Sequence, residues 1–482
     1  MSNIEPLKIL FVSAEVSPYS KSGGLGDVAG SLPKALRKKD VDVRVVMPLY
    51  KTVPAHLIEN AKEVAKFTVH LSWRSQEATI LALGEEVYFI QNEHYFGRDG
   101  YYGYGDDYER FAFFAKAAVE MLGHINFEAD ILHCNDWHAA LAPTYLRDMY
   151  RGFPFYSQMK SLLTIHNLNY QGIFGREVLW DIGLNDGYFT NGDLEFYGNI
   201  SLLKAGIVHA DAISTVSETY AEEIQTPAYG YGMDGLLHKR GTISGKLYGI
   251  TNGIDMEENN PETDPRIHVN FNAASLDKKR ENKHRLQEEL GLPVCDAPMI
   301  AMVTRLAEQK GLDILAIALE ELAHMDIQLV ILGTGEERYE HLLKEYAWRF
   351  PDKISANIRF DATVAQHIYA GADMFLMPSV YEPCGLGQLF AMRYGTVPIV
   401  RKTGGLADTV QHFSWDKNTG NGFVFEHYVA SGLMWAIKEA LHVYATAEKW
   451  EAVVKNAMNG DYSWDKAAEN YIDMYRCIIG CI

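Results

Sequence analysis

Along the chain, short apolar runs alternate with stretches in which apolar residues recur every three or four positions. The runs KILFVS (8–13) and VDVRVVM (41–47) have the length and content of buried strands, whereas residues 311–323 carry leucines and alanines at helical spacing. Further strands are predicted at 130–134, 160–166, 212–216, 299–304, 327–332, 374–377 and 397–400. Alternating strands and helices predict parallel sheets covered by helices on both faces.

This alternation is interrupted once, near LYGITNGID (247–255), and resumes after a polar stretch (257–272) without apolar periodicity. A chain of 482 residues also exceeds what one hydrophobic core supports. We therefore predict an α/β protein with two doubly wound, Rossmann-like domains at 1–250 and 251–460. Residues 461–482 are expected to form a C-terminal helix that returns to the first domain.

Within the first domain, residues 66–91 show alternating apolar positions between the predicted helical stretches. This period of two is typical of strands with one buried face. The segment is expected to form a hairpin excursion.

One glycine-rich turn occurs twice, as KSGGLGDV (21–28) and KTGGLADT (402–409). Each follows a predicted strand and opens a predicted helix. Glycine lets the backbone turn tightly and approach a ligand, and a helix N-terminus presents free amides. The carboxyl ends of strands are where doubly wound sheets bind ligands. The turn alone is equally consistent with a plain connection between strand and helix.

The composition narrows the classes of partner. The chain has 44 basic and 63 acidic residues, a net charge of −19, which disfavours nucleic acid and anionic membranes as partners. Five cysteines, and an apolar run near the start that is too short for a leader or a span, favour a reduced cytoplasmic protein. A plastid location after removal of a transit peptide is the disfavoured alternative. Cys477 and Cys481, four apart on a predicted helix, are expected to pack rather than to form a disulfide.

Two loops in the second half carry charged residues at predicted strand ends. TRLAEQKGLD (304–313) sets Arg305 and Lys310 between a strand and a helix, and SVYEPCGLGQL (379–389) sets Glu382 before a glycine-rich helix start. Two cations there suit a diphosphate, and each charge-assisted hydrogen bond contributes about 1.5–3 kcal/mol. Either cation alone would more often be a solvated surface charge. Together with the Glu382 loop they predict a phosphate site.

Polar residues also follow two predicted strands of the first half. HCNDWHAAL (133–141) supplies Asp136 with a neighbouring Trp and His, and TIHNLNYQG (164–172) supplies His166 and Asn167. Neutral donors and acceptors beside aromatic faces favour a sugar-binding wall, although a lone strand-end His is more often structural. The tyrosines of 97–111 either extend this wall or pack on the domain.

Several motifs are incomplete or absent. LGTGEER (332–338) begins like a dinucleotide fingerprint, but Arg338 stands where the third glycine would be. The chain has no P-loop, H-E-x-x-H, paired C-x-x-C or G-x-S-x-G pattern. We therefore expect no nicotinamide cofactor, no metal site and no serine hydrolase.

Taken together in their order and spacing, these segments resemble those of bacterial glycogen synthases and plant starch synthases, over essentially all 482 residues. The segments are KSGGLGDVAGSLPKAL, NDWHA, TIHNLNYQG, NGID, TRLAEQKGLD and EPCGLGQL…YGTVPIVRKTGGLADTV. That family consists of retaining glycosyltransferases of GT-B architecture, with two Rossmann-like domains facing across a cleft. The resemblance implies transfer of glucose from ADP-glucose to the non-reducing 4-OH of an α-1,4-glucan (glycogen or starch), without cofactor or metal.

The resemblance also implies roles for individual residues. Four residues would be catalytic: Arg305 and Lys310 would hold the diphosphate, Glu382 would bind glucose hydroxyls and His166 would contact the transferred glucose. The second glycine turn, 402–408, is expected to shape the cleft. Substrate-binding roles are implied for Glu15, Lys21, Gly24, Asp27, Asp136, Asn167, Asn252, Phe360, Cys384, Gly385, Leu386 and Gly387.

Two positions depart from the family pattern. Many bacterial members have Thr at the position of Gly387, so a hydroxyl is missing while the amide is kept. Phe360 stands where an adenine-facing Tyr is common, so stacking is preserved without a phenolic hydrogen bond. This second change bears on the selectivity for the base.

Three other functions compete with this hypothesis. A phosphorylase of similar architecture would need a lysine for pyridoxal phosphate, and no matching segment occurs. A transferase using UDP-glucose, or a sucrose-type enzyme, remains an alternative. A non-catalytic glucan-binding scaffold is disfavoured because Lys21, His166, Arg305, Lys310 and Glu382 occur together.

Overall fold

A computed structural model of the protein describes residues 6–480. The chain divides into two compact units. The first runs to Asn252 and takes in the chain from Trp464 onward, and the second is Gly253–Ser463. Among the described residues, none of the helices has the length and hydropathy that a membrane crossing requires.

The first domain is built on a nine-stranded sheet with strand order β12-β11-β7-β6-β1-β2-β5-β4-β3. Pairing is parallel from β12 to β5 and antiparallel for β3 and β4, so the predicted hairpin excursion extends the main sheet. Three short strands form a second sheet in the order β8-β10-β9. The strands are β1 (Lys8–Val12), β2 (Asp42–Pro48), β3 (Lys62–Leu71), β4 (Arg74–Leu83), β5 (Val87–Gln91), β6 (Ile131–Asn135), β7 (Lys160–Ile165), β8 (Ile173–Phe174), β9 (Glu195–Phe196), β10 (Asn199–Ser201), β11 (Ala212–Thr215) and β12 (Leu247–Gly249).

Helices join the parallel strands, and the central strands β1 and β6 are almost fully buried. The α-helices of the first domain before the interdomain boundary are α1 (Gly24–Arg37), α2 (Ala55–Ile58), α3 (Glu93–Phe96), α4 (Asp107–His124), α5 (Asp136–Ala139), α6 (Leu141–Tyr145), α7 (Gly187–Thr190), α8 (Leu202–His209), α9 (Glu218–Glu223) and α10 (Asp234–His238). Single turns of 3-10 or π helix occur at Leu146–Tyr150, Pro154–Tyr156, Arg176–Leu179 and Lys239–Ile243.

The second domain has a six-stranded, entirely parallel sheet in the order β15-β14-β13-β16-β17-β18. Its strands are β13 (Met299–Val303), β14 (Gln328–Leu332), β15 (Ile354–Asn357), β16 (Met374–Met377), β17 (Val397–Arg401) and β18 (Phe423–Phe425). Its helices are α11 (Leu276–Glu289), α12 (Leu312–His324), α13 (Glu337–Arg349), α14 (Ala362–Gly371), α15 (Gly387–Arg393), α16 (Gly404–Thr409), α17 (Ala430–Tyr444) and α18 (Ala447–Met458), with a 3-10 turn at Glu308–Lys310.

The last helix, α19 (Trp464–Ile479), packs on α1 of the first domain. Lys39 Nζ lies 2.8 Å from Glu469 Oε1, and the hydroxyl of Tyr475 lies 2.8 Å from Nδ1 of the buried His133. The expectation that Cys477 packs is wrong: it is exposed, because it falls outside the face of α19 that carries the buried residues. Cys481 lies outside the described residues.

In each sheet the first strand lies between two strands from which the chain continues toward opposite edges of the sheet. In the first domain, β1 lies between β2 and β6, and in the second, β13 lies between β14 and β16. Ligands of doubly wound domains bind beyond the carboxyl ends of the strands at this switch point. The loops after β1, β6, β13 and β16 are therefore where a site is expected, and they contain most of the residues selected from the sequence.

Candidate functional site

In the second domain, the loops after β13 and β16 meet through an ion pair. Lys310 Nζ lies 2.6 Å from Glu382 Oε2, and the two side chains are 17% and 9% exposed. Ser379 donates its hydroxyl hydrogen to the same carboxylate oxygen over 3.0 Å. The structure thus brings together two of the predicted catalytic residues and orients the carboxylate from two sides.

Arg305 lies at the start of the same loop. Its Nη2 is 3.4 Å from Oε1 of Gln309, whose own backbone carbonyl accepts a hydrogen bond from the amide of Val380 over 2.9 Å. At Gly311 the backbone has a φ of +79° and passes so close to Pro378 that a Cβ would lie 2.2 Å from its carbonyl oxygen. These backbone contacts hold the loops after β13 and β16 against each other.

The glycine-rich start of α15 follows Glu382. Gly385 has a φ of +72°, which favours glycine, and Gln388 donates to the carbonyls of Cys384 and Gly385 over 3.1 and 2.9 Å. A Cβ on Gly387 would meet the ring of Phe375 at 3.1 Å, so a threonine at this position would need that ring to move. The Gln388 side chain therefore holds this loop against the start of α15.

The predicted binding residues on this loop differ in exposure. Cys384 is buried, whereas Leu386, which precedes the first residue of α15, and Gly387 are partly exposed. The backbone of Leu386 and Gly387 is therefore better placed to meet a ligand than the Cys384 thiol is.

The second glycine turn packs directly on the Glu382 loop. Gly404 has a φ of +44°, and a Cβ there would lie 1.9 Å from the carbonyl oxygen of Glu382. A Cβ on Gly405 would lie 2.2 Å from the Cys384 carbonyl oxygen, and the Gly405 amide donates to Glu382 over 3.1 Å. Lys402 instead pairs with the exposed Glu426 at 2.7 Å. These glycines allow two loops to touch.

Phe360 lies in the loop between β15 and α14. It is 91% exposed, although it is a large apolar side chain. An exposed ring on this loop has a free face on which a base could stack.

In the first domain, the first glycine turn has a different environment. Gly23 precedes α1, and a Cβ there would meet nothing within 4 Å. No side chain caps the helix at this position, and α1 begins at Gly24. Lys21 Nζ lies 2.6 Å from Asp27 Oδ1 beside the helix start. This turn thus presents a helix N-terminus and a lysine to open space.

Glu15 is buried under the same loop. Its carboxylate accepts hydrogen bonds from the amide and, over 2.6 Å, the hydroxyl of Ser22, and also from the hydroxyl of Tyr102 over 2.6 Å. The Tyr102 ring lies 4.6 Å, centroid to centroid, from that of His138. Glu15 therefore joins the turn to the tyrosine-rich loop, and its carboxylate is engaged by the protein itself.

Asp136 connects the ends of β6 and β7. It has a φ of +54°, and its carboxylate accepts the amide of His166 over 2.7 Å as well as the amide of Asn167. Burial, with a smaller contribution from Glu15, raises the pKa of Asp136 to about 7 despite those amides. The three residues predicted from the two motifs therefore form one connected unit.

His166 itself is held as a neutral ring. Its Nε2 donates to Asn135 Oδ1 over 2.9 Å, which leaves Nδ1 as an acceptor. Burial lowers the pKa of His166 to about 3. A neutral imidazole suits a sugar hydroxyl better than a charged one would.

Asn252 is the remaining predicted residue of the first domain, and it is buried. Its Oδ1 has no hydrogen-bond partner among the described residues. Nδ1 of the buried His138 is likewise without one in the described chain. Buried polar atoms are nearly always satisfied, so both atoms are candidates to meet a ligand or water.

Ser379 was not selected from the sequence, whereas Tyr102 and His138 lie in segments predicted to form the sugar-binding wall but had no role assigned. Ser379 orients Glu382, Tyr102 bonds Glu15 and His138 presents an unsatisfied nitrogen. For Ser379 the signal was its position three residues before Glu382 at a strand end. Tyr102 is 87 positions from Glu15, so no local pattern could identify that contact.

Similarity to known proteins extends over both domains. Residues 8–239 match the family model described as the starch synthase catalytic domain, and residues 287–457 match glycosyl transferases group 1. The chain is 50% identical over 479 residues to the glycogen synthase of Clostridium novyi (strain NT), covering 98% of this chain and 99% of the relative. The chain belongs to the glycogen synthase family. It is accordingly a glycosyltransferase that transfers hexosyl groups.

Other members of the glycogen synthase family agree. The glycogen synthase of Thermotoga maritima is 47% identical over 481 residues, covering 98% of both chains. The catalytic domain of starch synthase IV from Arabidopsis thaliana, solved with ADP and acarbose bound, matches with a TM-score of 0.90 at 32% identity, over 98% of this chain and 100% of that one. The predicted fold class, GT-B with two Rossmann-like domains, is confirmed.

A more distant structure shows the fold alone. Sucrose-phosphate synthase from Thermosynechococcus elongatus matches with a TM-score of 0.62 at 18% identity, over 99% of this chain and 100% of that one. The two-domain architecture is therefore shared more widely than the glycogen synthase function.

Proposed function

We propose that the protein transfers glucose from ADP-glucose to the non-reducing 4-OH of an α-1,4-glucan, with retention of configuration. The donor and the acceptor follow from the resemblance of its motifs to those of glycogen and starch synthases. The starch synthase IV catalytic domain was solved with ADP and acarbose, which agrees with a nucleotide and a glucan-like sugar as ligands. The proposed place of action is the cytoplasm, in keeping with the free cysteines among the described residues.

The observation that carries the proposal is the Lys310–Glu382 pair at the switch point of the second domain. The 2.6 Å contact fixes an ammonium and a carboxylate side by side before any substrate arrives. A cation oriented by a carboxylate can hold a diphosphate oxygen without reorganising during the reaction. The carboxylate keeps a second oxygen, Oε1, with which it can accept a hydrogen bond from a glucose hydroxyl.

The reaction breaks the bond between C1 of glucose and the β-phosphate oxygen, and ADP leaves with the electron pair. A new bond forms between C1 and the acceptor 4-oxygen, whose proton passes to a phosphate oxygen of the departing ADP. Negative charge therefore grows on the diphosphate as the bond breaks, which is where Arg305 and Lys310 stabilise it. This front-face route accounts for retention without a carboxylate nucleophile.

The first domain supplies neutral hydrogen-bonding groups. Burial keeps the pKa of His166 near 3, so its Nδ1 remains an acceptor for a sugar hydroxyl at neutral pH. Lys21 and the N-terminus of α1 offer a cation and free amides next to open space. Glu15 and Asp136 position these groups, because their carboxylates bind the loops on which the groups lie.

The base of the nucleotide is assigned to the loop after β15. Phe360 presents an exposed ring that can stack on adenine, and stacking a purine buries more area than stacking a pyrimidine. Without a phenolic hydroxyl at this position, selectivity for ADP over UDP would depend mainly on stacking. We therefore expect preference rather than strict exclusion.

Nucleotide release from ADP-glucose and from UDP-glucose, each with and without glycogen, tests the proposal. We expect glycogen-dependent release of ADP, faster than that of UDP. The variant E382Q should retain affinity for ADP and lose turnover by orders of magnitude, whereas E426Q, at an exposed carboxylate paired with Lys402, should behave as wild type. Nucleotide release that is independent of glycogen, faster release from UDP-glucose, or normal turnover of E382Q would contradict the proposal.

A further inference from the structure

Two histidines and a glutamate of the second domain lie close together, away from the loops described above. His268 lies in the irregular segment before α11, Glu289 ends α11 and His367 lies within α14. Nδ1 of His367 is 2.8 Å and Nε2 of His268 is 3.4 Å from the same oxygen, Oε2 of Glu289. One ligand atom from each residue lies within 4.8 Å of the others.

A neutral His367 ring cannot satisfy both of its hydrogen-bond contacts. Its Nε2 lies 2.9 Å from the backbone carbonyl of Arg266, which can only accept, so this nitrogen must carry a hydrogen. In a neutral imidazole Nδ1 then bears a lone pair, yet it faces a carboxylate oxygen. Two electron-rich atoms in contact need a proton or a metal ion between them.

A metal ion fits this arrangement better than a single proton. The rings of His268 and His367 have centroids 4.0 Å apart and an interplanar angle of 33°, and one nitrogen of each ring faces the same oxygen, Oε2 of Glu289. Metal-binding histidines commonly donate their other ring N–H to a backbone carbonyl, as His367 does to Arg266. That bond fixes the tautomer which leaves Nδ1 free to coordinate.

We propose that His268, Glu289 and His367 form a binding site for a divalent transition-metal ion of the Zn²⁺ class. Bonds of about 2.0–2.1 Å at tetrahedral angles place ligand atoms about 3.3 Å apart. The two contacts at 2.8 and 3.4 Å lie around that value, and the ligand atoms of the two histidines lie within 4.8 Å of each other, so side-chain rotations would complete the geometry. Two imidazoles and one carboxylate favour Zn²⁺ over Ca²⁺ or Mg²⁺, which prefer oxygen ligands.

The surroundings leave room for a fourth ligand. His268 and Glu289 line a solvent-open pocket of about 580 Å³, together with Glu281, Arg285 and Glu288. The carboxylates of the pocket outnumber its single arginine, which favours a cation. A water molecule can reach the fourth position from this side.

The proposed ion would attach the segment before α11 to the body of the domain. That segment is anchored by the buried side chains of Ile267 and Phe271 and by polar contacts. Asp264 accepts from Gln366, the neighbour of His367, over 2.7 Å, and Asn282 exchanges two hydrogen bonds with the backbone of Val269. A metal bridging His268 to α11 and α14 would add a further link. The site is therefore structural, and none of its residues is assigned to the transfer reaction.

Calorimetric titration of the chelator-treated full chain with ZnCl₂, with its thiols blocked, tests the site. We expect one Zn²⁺ per chain, a thermal midpoint raised by Zn²⁺ but not by CaCl₂, and roughly tenfold or greater loss of affinity in both H268A and E289Q. H268A is used instead of H367A because it alters an exposed loop and should fold, so a loss of affinity cannot be attributed to misfolding. H341A removes an exposed histidine of α13 and should bind as wild type does.

Substitution of Co²⁺ for Zn²⁺ gives an independent signature. The visible absorption of tetrahedral Co²⁺ should appear in wild type and H341A and be lost in H268A and E289Q. Absence of binding, or equal binding by wild type, H268A and E289Q, would overturn the proposal and leave only the direct contact between His367 and Glu289. Equal binding of Ca²⁺ would also overturn it.

Discussion

Gly404 lies against Glu382 so closely that a Cβ at Gly404 would be 1.9 Å from the Glu382 carbonyl oxygen. Since the φ of Gly404 is also +44°, any other residue would be strained and would displace the loop that carries Glu382. The repeated turn of the sequence therefore has two structural roles. In the second domain it supports the acidic loop, and in the first it leaves a helix start next to open space.

We expect G404A to lower both the thermal midpoint and turnover, because the new methyl group pushes the Glu382 loop away from its ion pair with Lys310. The matched control is G23A, at the corresponding turn of the first domain, where a Cβ meets nothing within 4 Å. G23A should keep the wild-type midpoint. Differential scanning calorimetry and a steady-state transfer assay measure both quantities, and an unchanged midpoint in G404A would refute this explanation of the glycine.

The sequence was sufficient to predict the fold class and the strands after which many of the selected residues lie. Short apolar runs followed by polar or glycine-rich turns predicted the strands β1, β6, β13 and β16. The segments that follow these strands contain Glu15, Asp136, Arg305 and Glu382. Parallel strands buried on both faces give continuous apolar runs, which are easy to recognise.

Contacts between distant segments could not be predicted in the same way. Tyr102 binds Glu15 across 87 positions, and the histidine–glutamate cluster combines residues 268, 289 and 367 from three separate elements. Metal motifs are recognised by short fixed spacings, and this cluster has none. The exposure of Cys477 was also missed, because a single residue of a helix carries little information about which face it occupies.

R305A should reduce turnover by the equivalent of about 2–4 kcal/mol of transition-state stabilisation, with little change in the thermal midpoint. The reason is that Arg305 is exposed and its charge acts on the departing ADP. R305K keeps the charge without the fork of donors and should recover part of the loss. Steady-state kinetics separates turnover from the Michaelis constant. A change confined to the Michaelis constant would assign Arg305 to ground-state binding.

K310A should lose turnover to a similar extent and, unlike R305A, also lose stability. Its removal leaves the Glu382 carboxylate, 9% exposed, without its cation. The double variant K310A/E382Q should recover the midpoint but not the activity, because an amide needs no cation. A K310A midpoint equal to that of wild type would show that the pair contributes nothing to the fold.

The two lysines of the repeated turn offer a matched comparison. K21A should weaken activity, since Lys21 lies beside the open helix start of α1, while K402A should have no effect, since Lys402 pairs with Glu426 at the surface. The two variants remove the same side chain from the same local motif. Equal kinetics of K21A and K402A in the transfer assay would remove Lys21 from the proposed site.

The last prediction concerns pH and Asp136. Burial raises the pKa of this carboxyl from 3.8 to about 7 in the folded protein. The folded state therefore keeps its proton between about pH 4 and pH 7, where the unfolded chain has already released it. The stabilisation from this group is fully present below about pH 4 and is lost as pH rises to about 7.

D136N removes the titration while keeping a side chain that tolerates the positive φ of +54° and can still accept the amide of His166. The unfolding midpoint of wild type, relative to that of D136N, should consequently fall between pH 4 and pH 7 and then level off. Thermal melts of both proteins at matched pH values measure this difference. A difference that is independent of pH across this interval would mean that Asp136 is ionised throughout, with the two backbone amides outweighing its burial.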